Sequence, residues 1–411
     1  MSLAKCRLCE VTLKHSFVNL GMSPLANSYL EFKQLQQMEP FYPLHVYVCE
    51  NCYLVQLQEF EAPDNIFSQY AYFSSYSETW LEHARIYTQL MIERFGLDSG
   101  SEVIELGSND GYLLRYFREM NIPVLGIEPA KNVARVAEAA GIPTVVNFFG
   151  SEVATRLRRE GSQADLLVGN NVLAHVPALN DFVEGMRILL KPQGLITMEF
   201  PHLMQLVAGN QFDTIYHEHF SYFSFISVKK VFAKQGLSIF DVEELPTHGG
   251  SLRIYARHAE DQTKPVSQRV LDLHEREVDA GFTELSSYLS FGERVKKTKR
   301  NILDFMIRAK EEKGIIVGYG APAKGNTLLN YCGIGTDFIE YTVDLNPYKQ
   351  GRFLPGSHIP IYSPEKIMET KPDYLLILPW NLKDEIMQQM NFVRDWGCKF
   401  LLLIPEVEVV A

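Results

Sequence analysis

Apolar runs and turn residues alternate along most of this chain. From Glu102 the run Val103-Ile104-Glu105-Leu106 breaks at Gly107-Ser108-Asn109-Asp110-Gly111, and Leu113, Leu114 and Phe117 then share one helical face. That pattern predicts a strand, a glycine-bearing turn and a helix. A second strand, Val124 to Ile127, ends in Glu128. Ala164 to Gly169 reads as a fourth strand running into Asn170-Asn171-Val172-Leu173-Ala174-His175-Val176, and Leu195 to Phe200 as a fifth. After Gly236, Leu237 to Val242 and Ser251 to Ala256 add two more. Strands and helices in alternation predict an α/β, doubly wound domain, closed here as a seven-stranded sheet with an antiparallel end.

Downstream, Gln268 to Lys313 is rich in charged, helix-favouring residues with apolar positions at Val295, Ile302 and Phe305, and reads as connecting helices. A second doubly wound unit begins at Ile315-Ile316-Val317-Gly318-Tyr319-Gly320-Ala321-Pro322-Ala323-Lys324-Gly325-Asn326, a strand, a small-residue turn and a helix start. Amide groups at such a turn, with Lys324 added, make an anion site. The turn lacks the Gly-Lys-Ser/Thr ending of an ATP-hydrolysing loop. The next strand, Tyr341 to Val343, leads to Asp344 and a polar, basic loop from Asn346 through Lys349 to Arg352. The expected division is 1–66, 67–262, 263–312 and 313–411. No solenoid-spaced repeat or low-complexity tract interrupts it.

With 411 residues, 46% of them hydrophobic and 12% aromatic, the chain can bury substantial cores. The 50 acidic against 39 basic residues give a net charge of -11, which disfavours nucleic acid as a partner and obliges an anionic ligand to find a local basic site. No run approaches the roughly eighteen apolar residues that cross a bilayer, and Met1 to Glu10 has no apolar signal core. The expected location is the cytoplasm, with no membrane partner.

Four cysteines fall into two knuckles, Cys6-x2-Cys9 and Cys49-x2-Cys52. In a reducing compartment this pairing is a zinc pattern, and four thiolates leave no open coordination position, so the metal is expected to be structural. Free thiols or two disulfides are the other reading. Cys332 and Cys398 stand alone and read as packing residues.

The turn after the first strand of the sheet suits a nucleotide-type ligand, and Glu128, about twenty residues on, sits where a carboxylate meets ribose hydroxyls. Both features would serve NAD. The dinucleotide fingerprint, however, wants glycine where Asn109 sits, and Glu105 and Asp110 would repel a pyrophosphate and attract a sulfonium. S-adenosylmethionine is the expected ligand. Its contacts are expected from Glu105, Gly107, Asn109, Gly111 and Glu128, from Asn147-Phe148 at an adenine edge, and from Asn171. His175 reads as a capped or packed histidine near a helix start.

Tyr216-His217-Glu218-His219-Phe220 sets two imidazoles and a carboxylate at consecutive positions soon after the fifth strand. Carbon is a poor nucleophile until a base removes a proton, so this cluster points to methylation of carbon. A hydrogen-bonded loop or a metal site is the alternative, although the two histidines do not share a helical face in the His-Glu-x-x-His manner. Tyr70-Ala71-Tyr72-Phe73-Ser74-Ser75-Tyr76-Ser77 is dense in aromatic hydroxyls and reads either as packing or as a lid.

Taken in order, the paired cysteines, Glu105-x-Gly-Ser-Asn-Asp-Gly111, Tyr216-His-Glu-His219, His248-Gly-Gly-Ser-Leu-Arg253 and the glycine turn at Gly318 cover nearly the whole chain. It resembles the sugar-nucleotide C-methyltransferases of deoxysugar biosynthesis, which methylate C-3 of a 4-keto-hexose carried on dTDP. The resemblance implies an α/β fold with an N-terminal zinc-binding module, a central seven-stranded class I methyltransferase Rossmann-like domain and a C-terminal Rossmann-like domain. It makes His219 the base, with Tyr216, Glu218 and Tyr76 in the same pocket. It favours the lid, with Tyr72 on the donor. The C-terminal unit is then expected to hold the nucleotide-sugar substrate through Tyr319, Lys324, Asn326, Asn346 and Lys349, or else to be a purely structural cap. An O- or N-methyltransferase acting on a small metabolite remains the competing activity. A zinc-bearing nucleic-acid binder rests on the cysteines alone.

Overall fold

A computed structural model of the protein describes residues 4–62, 74–76 and 78–411. Three sheets organise them. The first begins with β1 (His15–Ser23), β2 (Tyr42–Val48) and β3 (Val55–Leu57), paired antiparallel in that order. In β2 the alternate residues Leu44, Val46 and Val48 are buried, the signature of a strand with one covered face.

The central sheet contains β4 (Val103–Leu106), β5 (Val124–Ile127), β6 (Thr144–Val145), β7 (Ala164–Asn170) and β8 (Leu190–Pro201), all parallel. β4 is buried at every position and β7 at most, as expected where helices cover both faces. After β8 the chain leaves this sheet. β9 (Ser221–Tyr222) pairs with β3, so a strand from the middle of the sequence becomes the edge of the N-terminal sheet. The chain then returns as β10 (Leu237–Leu245) and β11 (Ser251–His258), an antiparallel hairpin whose second strand pairs with β8. The order β10-β11-β8-β7-β4-β5-β6 is the anticipated seven-stranded sheet with its antiparallel end.

Some strands run longer than their apolar cores suggest. β8 begins at Leu190, passing through polar Lys191 to Gly194. It can do so because Gly194 lies against its partner: a Cβ there would come 2.7 Å from the Ala164 carbonyl oxygen. β10 extends to Leu245 because hairpin pairing with β11 continues to Leu245 opposite Ser251, despite Glu243 and Glu244.

The connecting segment forms helices at Gln268–Asp279, Leu285–Leu289 and Phe291–Glu311. The last is a bridge. Phe291 stacks on Phe17 of β1 at 4.6 Å, while Ile302 and Met306 share a core with Ile316 and Leu376 of the C-terminal unit. That unit is a six-stranded sheet of β12 (Ile316–Tyr319), β13 (Thr342–Val343), β14 (Ile361–Tyr362), β15 (Tyr374–Ile377), β16 (Lys399–Leu402) and β17 (Glu408–Val410), ordered β14-β13-β12-β15-β16-β17. Among the described residues no helix is long and apolar enough to cross a membrane.

Candidate active site

The two cysteine knuckles close in the same way. The residue after each second cysteine, Glu10 and Tyr53, is left-handed at φ 64, and its N–H donates to the carbonyl of the first cysteine. The sulfurs of Cys6, Cys9, Cys49 and Cys52 lie within 4.8 Å of one another, with contacts of 3.4, 3.5 and 3.8 Å. Tetrahedral zinc–thiolate bonds of about 2.3 Å place sulfurs about 3.8 Å apart, whereas a disulfide needs about 2.05 Å. The four thiols are unbridged and form a closed zinc site.

At the C-terminal ends of the central strands the donor turn folds as the sequence requires. Gly107, Asn109 and Gly111 all have positive φ (65, 49 and 76), and a Cβ at Gly111 would meet Ile142 Cγ1 at 2.9 Å. Glu128 caps the turn, accepting from the N–H groups of Asn109 (2.9 Å) and Ala130 (2.8 Å). Glu105 is 1% exposed, and among the described residues neither of its carboxylate oxygens has a hydrogen-bond partner. Burial, then Asp110 and Glu128, hold its pKa well above the usual carboxylate value. Asp110 Oδ1 is likewise buried and, among the described residues, unpartnered. Orphaned carboxylate oxygens in this cleft fit a cationic donor such as S-adenosylmethionine, which Glu105, Asp110, Glu128 and the turn amides would hold. Asn147 and Phe148 are exposed just beyond β6, whose Val145 carbonyl accepts from the Glu128 N–H. Tyr72 lies outside the described residues, as does the Tyr76 side chain. Their neighbours Ser74 and Ser75 donate backbone N–H groups to Asn109 Oδ1 (2.9 Å) and Asp110 Oδ2 (3.1 Å), so this segment lies on the donor turn.

His219 sits on the loop between β8 and β9. The loop folds back on the segment after β7 through Phe220 N–H to Ala174 O (2.7 Å), which brings the His219 and His175 rings to 4.7 Å. Tyr216 packs against His219 at 4.0 Å, and His219 Nδ1 donates to Thr214 O at 2.9 Å. Burial, with smaller contributions from His175, His248 and Lys324, holds the His219 pKa well below its ordinary value. The ring is nevertheless only partly covered. Glu218 is buried and accepts from Asn27 Nδ2 at 2.6 Å. His217 turns toward Pro43 O, 3.3 Å away, and its edge meets Tyr42 and Phe60.

The C-terminal candidates are spread over that unit. Lys324 donates to Asn381 Oδ1 at 2.6 Å and lies over the Trp380 ring, while Trp380 Nε1 donates to Asp213 Oδ2 at 2.7 Å. Burial lowers the Lys324 pKa and raises that of Asp213 to about 6, each opposed by the other's charge. Lys349 donates to Ala321 O (2.9 Å) and Asp344 (3.3 Å) and faces the Tyr29 ring. Asn346 forms a side-chain turn with Tyr348 N–H. Asn326 donates to Ala26 O, and Tyr319 to Gln389.

Several residues in this cleft escaped sequence reasoning. His248 and Trp80 meet edge to face at 5.5 Å, His248 Nε2 lies 3.1 Å from Nδ2 of Asn171, itself an expected donor contact, and Asp213 and Trp380 join the His219 loop to the C-terminal unit. For His248 a signal existed, a bulky residue directly before Gly249-Gly250. For Asp213 and Trp380 none did, because their meeting is tertiary.

A family model for a zinc binding domain matches residues 6–67, one for a methyltransferase domain 80–242, and one described as C-methyltransferase C-terminal domain 246–405. The C-methyltransferase NovU of Streptomyces niveus is 36% identical over 409 residues, 99% of this chain and 97% of that protein. Among solved structures, the PH0226 protein from Pyrococcus horikoshii OT3 aligns at 15% identity and TM-score 0.38 over 48% of this chain and all but 1% of its own (99% covered). Magnesium protoporphyrin IX methyltransferase from Synechocystis PCC 6803 with bound SAM aligns at 14% identity and TM-score 0.33, covering 43% of this chain and 78% of its own.

Proposed function

Because the chain belongs to the C-methyltransferase family, we propose that it transfers a methyl group from S-adenosylmethionine to C-3 of a dTDP-linked 4-keto-deoxysugar, through an enolate, in deoxysugar biosynthesis. One observation carries the reading. A carbonyl oxygen can only accept, so the 2.9 Å contact with Thr214 O puts the His219 proton on Nδ1 and leaves the lone pair on Nε2. The depressed pKa keeps this ring neutral at physiological pH.

His219 Nε2 takes the C-3 proton, the C–H electron pair enters the bond between C-3 and C-4, and negative charge collects on the ketone oxygen. C-3 then bonds to the methyl carbon as that carbon's bond to sulfur breaks, and His219 returns its proton to water. Bound at the turn after β4, S-adenosylmethionine supplies an electrophilic methyl group on a sulfonium. Glu105 and Asp110 favour that positive charge. Tyr216 fixes the plane of the base and Glu218 ties the loop to Asn27, while the family resemblance assigns Tyr76 to the sugar. We assign the nucleotide diphosphate to the C-terminal unit, residues 313–411, with Tyr319, Asn326 and Asn346 around it. Two ammonium groups, Lys324 and Lys349, support that assignment in a chain that is otherwise acidic.

The test combines two measurements. Labelled donor and a dTDP-4-keto-6-deoxyhexose should yield a C-methyl sugar, and without donor the enzyme should wash solvent deuterium into C-3, an exchange abolished in His219→Asn. Methyl label on oxygen or nitrogen, or exchange undiminished in His219→Asn, would overturn the reading.

A further inference from the structure

His248 belongs to no step described so far, yet its surroundings are built to hold it in one state. Its backbone is left-handed (φ 54, ψ 23), which a bulky side chain rarely adopts, and it is followed by Gly249 (φ 86) and Gly250 (φ 115). The turn is pinned from several sides. Thr247 Oγ1 donates to Glu199 Oε1 (3.0 Å), Gln211 Nε2 to Gly249 O (2.8 Å), and His202 N–H to Gly250 O (3.0 Å). A Cβ on Gly249 would come 2.5 Å from Trp380, so the turn is wedged against the C-terminal unit. Glu199 also binds His83 (2.9 Å), which stacks under Trp80 at 4.8 Å, and Trp80 in turn meets the His248 ring. Asn171, itself left-handed at φ 56, completes the frame from the end of β7.

The hydrogen bond to Asn171 fixes the tautomer. An amide NH2 can only donate, so His248 Nε2 accepts and Nδ1 carries the proton. Among the described residues no protein group takes that Nδ1–H. Burial, with Lys324 nearby, lowers the His248 pKa to about 4, so the ring is a neutral donor at pH 7. His219 is the complement: its proton is bound to Thr214 O and its lone pair is available. The turn that carries His248 and the loop that carries His219 meet at one junction: Gln211 binds the Gly249 carbonyl, and Trp380, wedged against Gly249, binds Asp213. One neutral imidazole with an available lone pair and another with an available N–H match the two ends of an H–C–C=O unit.

We propose that His248 is a second catalytic histidine, whose Nδ1–H hydrogen-bonds the ketone oxygen of the substrate and stabilises the enolate as His219 removes the C-3 proton. The inference rests on the C-methylation reading above. No proton leaves His248: the C-3 proton goes to His219 Nε2, and the negative charge on the oxygen is met by the Nδ1–H. A base with a depressed pKa is weak, and a prepositioned donor at the oxyanion compensates for that weakness.

The experiment uses the full-length zinc-bound enzyme. Deuterium wash-in at C-3 of a dTDP-4-keto-6-deoxyhexose, without methyl donor, is measured for wild type, His219→Asn, His248→Phe and His248→Asn. Asparagine tolerates the left-handed backbone and places an N–H near the position of Nδ1. His248→Phe should lower exchange and kcat by roughly 10²–10³-fold with KM and donor affinity little changed, as for loss of an oxyanion donor. His248→Asn should recover to within about tenfold of wild type. Nitrogen-15 NMR of wild type should show the His248 proton on Nδ1, a readout that survives even if both variants misfold. Proton on Nε2, or full-rate exchange in His248→Phe alongside loss in His219→Asn, overturns this inference and leaves the C-methylation reading standing. Absence of exchange in wild type across several keto-sugars overturns both.

Discussion

Replacing Gln56 tests whether the zinc site sets the His219 loop. Gln56 is 1% exposed in β3, one strand away from the loop. Its Nε2 donates to Cys6 Sγ at 3.1 Å, and its Oε1 accepts the Arg7 N–H at 2.9 Å. Its backbone pairs with Ser221 of β9, two residues after His219, and the adjacent Leu57 N–H donates to Phe220 O at 3.0 Å. One residue therefore touches a zinc ligand with its side chain and the exit strand of the His219 loop with its backbone. Gln56→Leu removes a hydrogen bond to a charged sulfur, worth roughly 1.5–3 kcal/mol, and leaves the Arg7 N–H unpaired at about 1–3 kcal/mol. Burying apolar leucine atoms offsets roughly 1 kcal/mol of this. The net cost of about 1.5–5 kcal/mol falls partly on metal binding, where partners of metal ligands typically carry about 10–100-fold in affinity. Chelator competition should show zinc binding weakened by that factor. Hydrogen exchange should show the Leu57 and Phe220 amides losing protection as zinc is removed, with C-3 deuterium wash-in falling in parallel. If zinc-stripped enzyme keeps both amides protected and exchanges C-3 at full rate, the coupling does not exist.

Three further outcomes follow from buried charge. Glu105 holds its proton more tightly than an ordinary carboxyl, so binding of the cationic donor should expel a proton and weaken as pH falls; calorimetry in two buffers of different ionisation heat measures this, and pH-independent binding that survives Glu105→Gln contradicts it. His175 and His248 are both lowered to about 4, so the unfolded chain takes up protons first as pH drops from 6.5 toward 4. Their stability contribution is intact above 6.5 and lost through that window, at most roughly 3 kcal/mol per ring, and the stability lost between pH 7 and 4 in urea titrations should shrink correspondingly in a His175→Phe/His248→Phe double variant, His219 still titrating. Glu277, 0% exposed, accepts from His202 Nε2 (2.7 Å) and the N–H groups of Phe225 (2.6 Å) and Ile226 (2.7 Å), so Glu277→Ala should cost about 3–5 kcal/mol in urea unfolding; a loss below 1 kcal/mol would refute this account of the three donors.

What the sequence discloses and what it conceals divide along local and tertiary determinants. The donor turn was legible because Gly107 and Gly111 are demanded by their own positive φ, and the strands because their apolar runs are continuous. The zinc site was legible because knuckle spacing is local, although nothing in the spacing tells that Gln56 lies on Cys6. Strand ends were less legible: β8 starts five residues early because Gly194 fits against Ala164, a contact between segments distant in sequence. The pairing of β9 with β3 left no local trace, and neither did the meeting of Asp213 with Trp380. His248 was within a quoted motif, but its chemistry depends on Asn171 setting its tautomer, which only the fold supplies.

The loop from Phe212 to Phe220 contains just one short turn of regular structure, Phe212–Thr214, so its own backbone cannot fix His219. Contacts from elsewhere do so. Trp380 holds Asp213, Thr327 Oγ1 holds the Ile215 carbonyl (2.9 Å), Asn27 holds Glu218, the Pro43 carbonyl meets His217, and Ala174 and Leu57 hold Phe220. Trp380 and Thr327 belong to the C-terminal unit, Asn27, Pro43 and Leu57 to the N-terminal module, and Ala174 to the segment after β7. The deprotonation of carbon proposed for this weak, neutral imidazole tolerates little misplacement, since an error near 1 Å can cost about 10²-fold. The donor turn, by contrast, is built wholly within the central sheet and its adjoining segment. Donor binding and base placement therefore depend on different parts of the molecule, and docking of all three units is required only for the second.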